Sequence, residues 1–134
     1  MTSSTRTRRA DAGSSAIELV LLTPVLIALV FTVVQAALVW HARHVALAAA
    51  QQGDRFARSM AGADDATVRA RTIEYVRSLG ADLVGSPTVT VTRAGGFVTV
   101  TVTGMAVSLV PGAALHVHAV SRGPAEVFTA GGLP

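Results

Sequence analysis

From Leu19 to Trp40 the chain carries no formal charge, and the residue just before this run is an acid, Glu18. No other feature constrains the fold as much. Hydrocarbon about 30 Å thick is crossed by roughly 20 helical residues, so the run is long enough to span a bilayer. A carboxylate inside such a span costs about 2.5 kcal/mol or more near the bilayer centre and less towards the interface. An acid kept there at that cost points to function and calls for a partner of opposite charge.

Setting the apolar run aside, His41 to Pro134 is enough chain for one small domain with a modest core. All eleven basic residues are arginine, and with eight acids the formal balance is only +3. The arginines are dispersed rather than gathered on one face, so no nucleic-acid contact is evident. With no cysteine there is neither a disulfide framework nor thiolate chemistry, which fits export. Enzyme readings find no support. No Ser, His and acid trio stands out, and Gly95-Gly96 opens a strand rather than the helix that a phosphate loop needs. No cofactor is implied. His116 and His118 share one face of a strand, which makes them weak candidates for metal ligation. Two ligands do not make a site, and a solvated strand face is the preferred reading. His41 and His44 stand at headgroup level beside Trp40, an interfacial anchor.

The chain reads as α+β. Met1 to Ala12 is polar and expected to be disordered. A helix from about Ile17 should continue past Trp40 to Met60, because residues 41–60 lack proline and are rich in alanine. Val45, Ala49, Phe56 and Met60 fall near one face, with Arg43, Gln51, Asp54 and Arg58 elsewhere. Pro24 should kink the membrane part of the helix or open it locally. Gly62-Ala63 breaks the helix, and Asp64 or Asp65 caps a second one. That helix carries Val68, Thr72, Val76, Leu79 and Leu83 on its apolar stripe, with Gly80 near its end. The period then changes. Valine alternates with threonine over 88–92 and 98–103, a half-buried strand pattern joined by a Gly95-Gly96 hairpin turn. Pro111-Gly112 makes another turn, and Leu115, Val117 and Ala119 mark a third strand. The tail beyond Arg122 is rich in Gly and Pro, with Val127 and Phe128 as its anchors.

Three fates compete for the N-terminus. Arg6, Arg8 and Arg9 precede the apolar run like the basic end of a targeting sequence and slightly favour a cytoplasmic N-terminus. Val34-Gln35-Ala36 is spaced for an ordinary signal peptidase, which would release a chain starting at Ala37. Without a cut, the segment is a plain anchor. A cut after Gly13 would leave the whole apolar segment on the mature protein, with Glu18 as its fifth residue. Only this last fate supplies a partner, the new α-amine of Ser14, which is positively charged at neutral pH. Glu18 of one subunit would pair with that amine on a neighbour and fix the register of packed helices. An interfacial Glu18 that snorkels to headgroups remains the other reading.

A basic leader, then Gly, then Glu at the fifth position ahead of an apolar helix resembles a type IV prepilin signal. Gly13-Ser14-Ser15-Ala16-Ile17-Glu18 through Pro24 is similar to the TadE-like minor pilins, or pseudopilins, of tight-adherence pilus systems. Glu18 and Pro24 reproduce that family's interval. Its small-residue and Gly-x-Arg pattern after the membrane helix reappears in Ala49-Ala50-Gln51-Gln52-Gly53-Asp54-Arg55. Leu19 and Gln35 depart from the aromatic and the acid that relatives often carry there. The resemblance implies a leader at 1–13, a transmembrane helix at 14–40, an extracytoplasmic pilin-like domain at 41–122 that includes the helix extension 41–60, and a flexible tail at 123–134. It implies cutting by a prepilin peptidase, a single-pass membrane location with a cytoplasmic N-terminus, and association with other pilins and the inner-membrane assembly platform. Gly53 and Arg55 would organise the junction between helix and domain. The alternative is an exported or anchored binding module with no pilus role.

Overall fold

The computed structural model describes residues 8–59, 63–80 and 82–125, with side chains from Ile17 onward. Arg6, Met60, Gly62, Val127 and Phe128, to which roles were assigned above, lie outside the described residues. The elements are helix α1 (Arg8–Ser59), helix α2 (Asp65–Gly80) and strands β1 (Val84–Ala94), β2 (Phe97–Ala106) and β3 (Leu115–Pro124). The chain divides into two units, one ending at Ala36 and one starting at Ala37, and α1 contributes to both.

In the first unit α1 begins at Arg8, well before Ile17 and within the stretch expected to be disordered. Ala10, Ala12 and Ala16 are strong helix formers and extend the helix backwards. The helix is continuous through Pro24, whose ring removes one N–H from the ladder. Two exposed hydroxyls of this apolar stretch are satisfied within the helix. Thr23 donates to the Leu19 carbonyl at 2.6 Å and Thr32 to that of Ala28 at 2.8 Å.

In the second unit, α1 presents Ala42, Val45, Ala46, Ala49, Ala50, Gly53 and Ala57, all buried, to the rest of the fold. Spacings of three and four residues keep them on one stripe. Their small size brings the helix close to its neighbours. Asp64 caps α2, its Oδ1 accepting from the Thr67 N–H at 3.1 Å. Those hydrogen bonds from Thr67 hold the Asp64 carboxyl below its ordinary value. Val68, Thr72 and Val76 are buried as the stripe requires, but Leu79 is exposed. Beyond it the chain folds back, with the Leu83 N–H donating to the Gly80 carbonyl at 3.0 Å. Leu83 then packs on the core and Leu79 is left outside.

The sheet is antiparallel with order β1-β2-β3. Val89, Val91, Val98, Val100, Val102 and Val117 are buried, whereas Thr88, Thr90 and Thr92 are exposed and Thr99, Thr101 and Thr103 are half-buried. Each fully buried valine contributes about 1.5 kcal/mol or more, and the buried core is made of Val and Ala, with Tyr75 packed at its edge. Gly95 and Gly96, with φ of 58° and 74°, make the two-residue hairpin turn that pairs Ala94 with Phe97. β1 starts earlier than the Val/Thr alternation suggested, because a bulge between Gly85 and Thr88 shifts its register. β3 runs to Pro124, past the Arg122 where the tail was expected to begin.

Candidate functional site

Glu18 is exposed on α1 and sits among exposed apolar neighbours, with Ile17, Leu19, Val20 and Leu21 each 69–73% accessible. Exposure continues through Val25, Leu29, Phe31 and Val33, and none of the most apolar window of this helix is buried within the chain. A core helix of a water-soluble protein would bury such residues. Here the helix is long and apolar enough to cross a membrane. Gly13 and Ser14 lie within the helical backbone of α1, and Pro24 lies in the exposed apolar stretch.

The junction between helix and domain is built around Gly53. A Cβ at this position would stand 2.5 Å from Thr72 Oγ1 of α2 and 3.0 Å from Val100 Cγ1 of β2. At Gly53, therefore, α1, α2 and β2 approach one another closely. Arg55, paired with it in the sequence motif, is exposed and does not join this packing.

Asp54 does join, contrary to its expected place away from the packing face. It is only 5% exposed. Its Oδ2 lies 3.4 Å from Arg58 Nη2 and accepts a long hydrogen bond from Ser121 Oγ at 3.5 Å. Arg58, also expected elsewhere, is half-buried beside it. Gly123 makes room for the pair, since a Cβ there would stand 2.8 Å from Asp54 Oδ2 and 3.0 Å from Arg58 Nε. Ala50, Asp54 and Ala57 fall on the same helical stripe, so the spacing itself placed Asp54 inward. The legible signal was the i,i+4 acid and base pair set within a row of alanines. Asp54 Oδ1 and Arg58 Nε are buried without hydrogen-bond partners, so the pair fixes geometry more than it adds stability.

A second link ties the far end of the sheet to the helices. Arg93 Nε donates to Asp65 Oδ1 at 3.0 Å, and its terminal nitrogens reach the Ala57 and Ala63 carbonyls, each at 3.4 Å. At that same end Arg122 stacks over the Phe97 ring, 4.3 Å from its centroid.

His116 and His118 are both exposed on β3 and line an open groove of about 510 Å³ with Arg43, Leu47, Ala119 and Val120. Among the described residues no three His, Cys, Asp or Glu side chains gather as a metal site would require. Trp40 stacks on His44 with ring centroids 5.5 Å apart.

Residues 13–55 match the family model described as TadE-like protein. Over this N-terminal segment, about a third of its length, the chain is similar to that family. The TadE-like segment opens at Gly13, takes in Glu18, Pro24 and the whole apolar run, and closes at Arg55, two residues past the Gly53 contact. It therefore covers the exposed apolar helix and the stripe on which the domain packs, and leaves the sheet outside the match. No curated protein and no solved structure matches the chain.

Proposed function

We propose that this chain is a pseudopilin of a tight-adherence pilus system, a non-enzymatic assembly protein cut by a prepilin peptidase between Gly13 and Ser14. The mature chain stays in the membrane as a single-pass protein with its N-terminus cytoplasmic and its α/β domain outside. Its membrane helix associates with other pilins or with the inner-membrane assembly platform. The observation that carries this reading is the TadE-like match over a helix whose most apolar window finds no burial within the chain. Such a helix satisfies itself in lipid and against like helices.

Each residue then has a role with a physical basis. Gly13 lies within α1, yet a peptidase must draw its substrate bond out of the helix. Glycine is about 1 kcal/mol less favourable than alanine in a helix, so the backbone opens most easily there. The cut frees the Ser14 amine. Glu18 of one subunit pairs with that amine on the next, offsetting the cost of each charge in hydrocarbon and fixing the axial register. Pro24 shapes the helix two turns further along.

The test is the N-terminal residue and intact mass of the protein from native membranes, with and without Gly13→Ala. A chain beginning at Ser14, lost in the variant, supports the reading. A start at Ala37 means a released domain and an intact Met1 a plain anchor; either outcome removes Glu18's partner and the assembly mechanism with it.

A further inference from the structure

The connection between β2 and β3 departs from the rule that surface loops are polar. From Val107 to Ala114 it holds one polar side chain, Ser108, and no charge. Val107, Leu109 and Val110 are exposed, Val110 by 56%. The loop is nonetheless well built. The Ser108 hydroxyl donates to the Val110 carbonyl at 2.9 Å and accepts from the Val110 N–H at 3.1 Å. The Ala113 N–H donates to the Val110 carbonyl at 3.2 Å, closing a turn centred on Pro111 and Gly112. Gly112 has the φ of 83° that a type II turn demands. Backbone contacts thus occupy the loop's single hydroxyl, and the surface it offers is aliphatic.

Contacts within the second unit place this loop. Arg43 and Leu47 of α1 share a groove with His116 and His118 near the start of β3. Asp54 and Arg58, a few turns later, flank Gly123 near its end. β3 therefore runs in the same direction as α1, and residues preceding Leu115 lie towards the Trp40 end of the helix. Trp40 is itself 65% exposed there, with His41 and His44 beside it. The opposite end of the sheet carries the Gly95-Gly96 turn, Arg93 and Arg122. The loop thus lies at the Trp40 end of the sheet; Arg43 and Asp82 stand at that end too, but the loop itself carries no charge.

We propose that the β2–β3 loop inserts into the interfacial layer of the same membrane, with Leu109 and Val110 among the headgroups and upper acyl carbons. The partner is a lipid surface. A short aliphatic turn without charge, lying towards the end of the domain that carries an exposed tryptophan, suits that layer, where apolar burial and proximity to water coexist. The domain is then held to the bilayer at two points, α1 and the loop, and its orientation is fixed. This inference rests on α1 being membrane-spanning.

The chain has no cysteine, so single cysteines report position cleanly. The full chain, reconstituted in phosphatidylcholine and phosphatidylglycerol vesicles, carries an environment-sensitive fluorophore at Val110→Cys, Ala94→Cys or Val30→Cys. Lipids bearing a nitroxide near the headgroup should remove most of the fluorescence at position 110 and leave position 94 unchanged. An aqueous nickel chelate should do the reverse. A position-110 label open to the chelate and indifferent to the lipid nitroxide overturns the proposal. A label shielded from both also overturns it, because protein then covers the loop. Position 30, probed with nitroxide deep in the acyl chains, separates the two claims. If it is not quenched, the membrane reading has failed; if it is quenched and position 110 is not, only the loop inference has.

Discussion

Gly53 approaches Thr72 so closely that a Cβ on the glycine would stand 2.5 Å from the threonine hydroxyl and 3.2 Å from its methyl. Thr72 cannot easily yield, because its hydroxyl already donates to the Val68 carbonyl at 2.7 Å and the side chain is fully buried. The last turns of α1 are therefore locked against α2 by the absence of a side chain.

Gly53→Ala sets two effects against each other. Alanine favours the helix by about 1 kcal/mol, while overpacking costs about 1–3 kcal/mol. With Val100 Cγ1 only 3.0 Å away on the other side, the overpacking term should win. Thermal unfolding of the detergent-solubilised chain should show a lower Tm. Thr72→Ala combined with Gly53→Ala should recover part of the loss, since it removes both clashing Thr72 atoms; additive losses would mean the contact is not the cause.

Asp54 and Arg58 make a different kind of lock. Asp54→Ala leaves Arg58 without its acid, and Arg58 is exposed enough to swing towards water. The cost is expected at about 1–3 kcal/mol, below that of breaking a fully buried pair. Gly123→Ala attacks the same place from β3, with a methyl 2.8 Å from Asp54 Oδ2. Hydrogen exchange should rise at the end of β3 in both variants while β1 stays protected. Uniform loss of protection would instead mean that the pair holds up the whole domain.

What the sequence made legible follows from period. The Val/Thr alternation marked β1 and β2, the proline-free, alanine-rich run after Trp40 announced that the helix continues, and the Gly95-Gly96 turn set the hairpin register. Three features resisted. Asp54 was assigned outward because a charged residue usually is, although its spacing from Ala50 and Ala57 placed it inward. Leu79 fitted the helical stripe and lost its place to Leu83, a choice made by tertiary contact. The direction of β3 along α1, which sets the β2–β3 loop towards the Trp40 end of the helix, has no local signature at all. Of the site, Gly53 was readable as a small residue in a motif. The neighbouring Arg55 was readable only by its motif and stands exposed.

The cap of α2 predicts a pH response. Hydrogen bonds from Thr67 lower the pKa of Asp64 in the folded state. A depressed acid contributes stability above its unfolded pKa, and that contribution is lost as pH falls through the folded value. Stability should therefore decline on acidification below the ordinary carboxylate range. Asp64→Asn keeps a capping oxygen but not the charge, and should flatten this acid limb. Urea unfolding at neutral and acid pH reads the difference; identical acid limbs would remove Asp64 from the account.

Glu18 is where assembly and mere anchoring part company. As a charge contact between subunits, even about 1.4 kcal/mol changes association about tenfold. Glu18→Ala should leave the cut after Gly13 at its normal level while piliation falls by about that factor or more. Glu18→Gln keeps size and polarity but lacks charge, and should fail in the same way. The companion experiment replaces residues 14–40 with an unrelated apolar helix of equal length. An anchored binding module would keep its function, because its working surface would be the threonine face and the groove at His116 and His118. A pseudopilin would lose it, because the specific contacts lie in the helix itself. Glu18 variants that assemble normally, together with a functional helix replacement, would move the working surface from the membrane segment to the sheet.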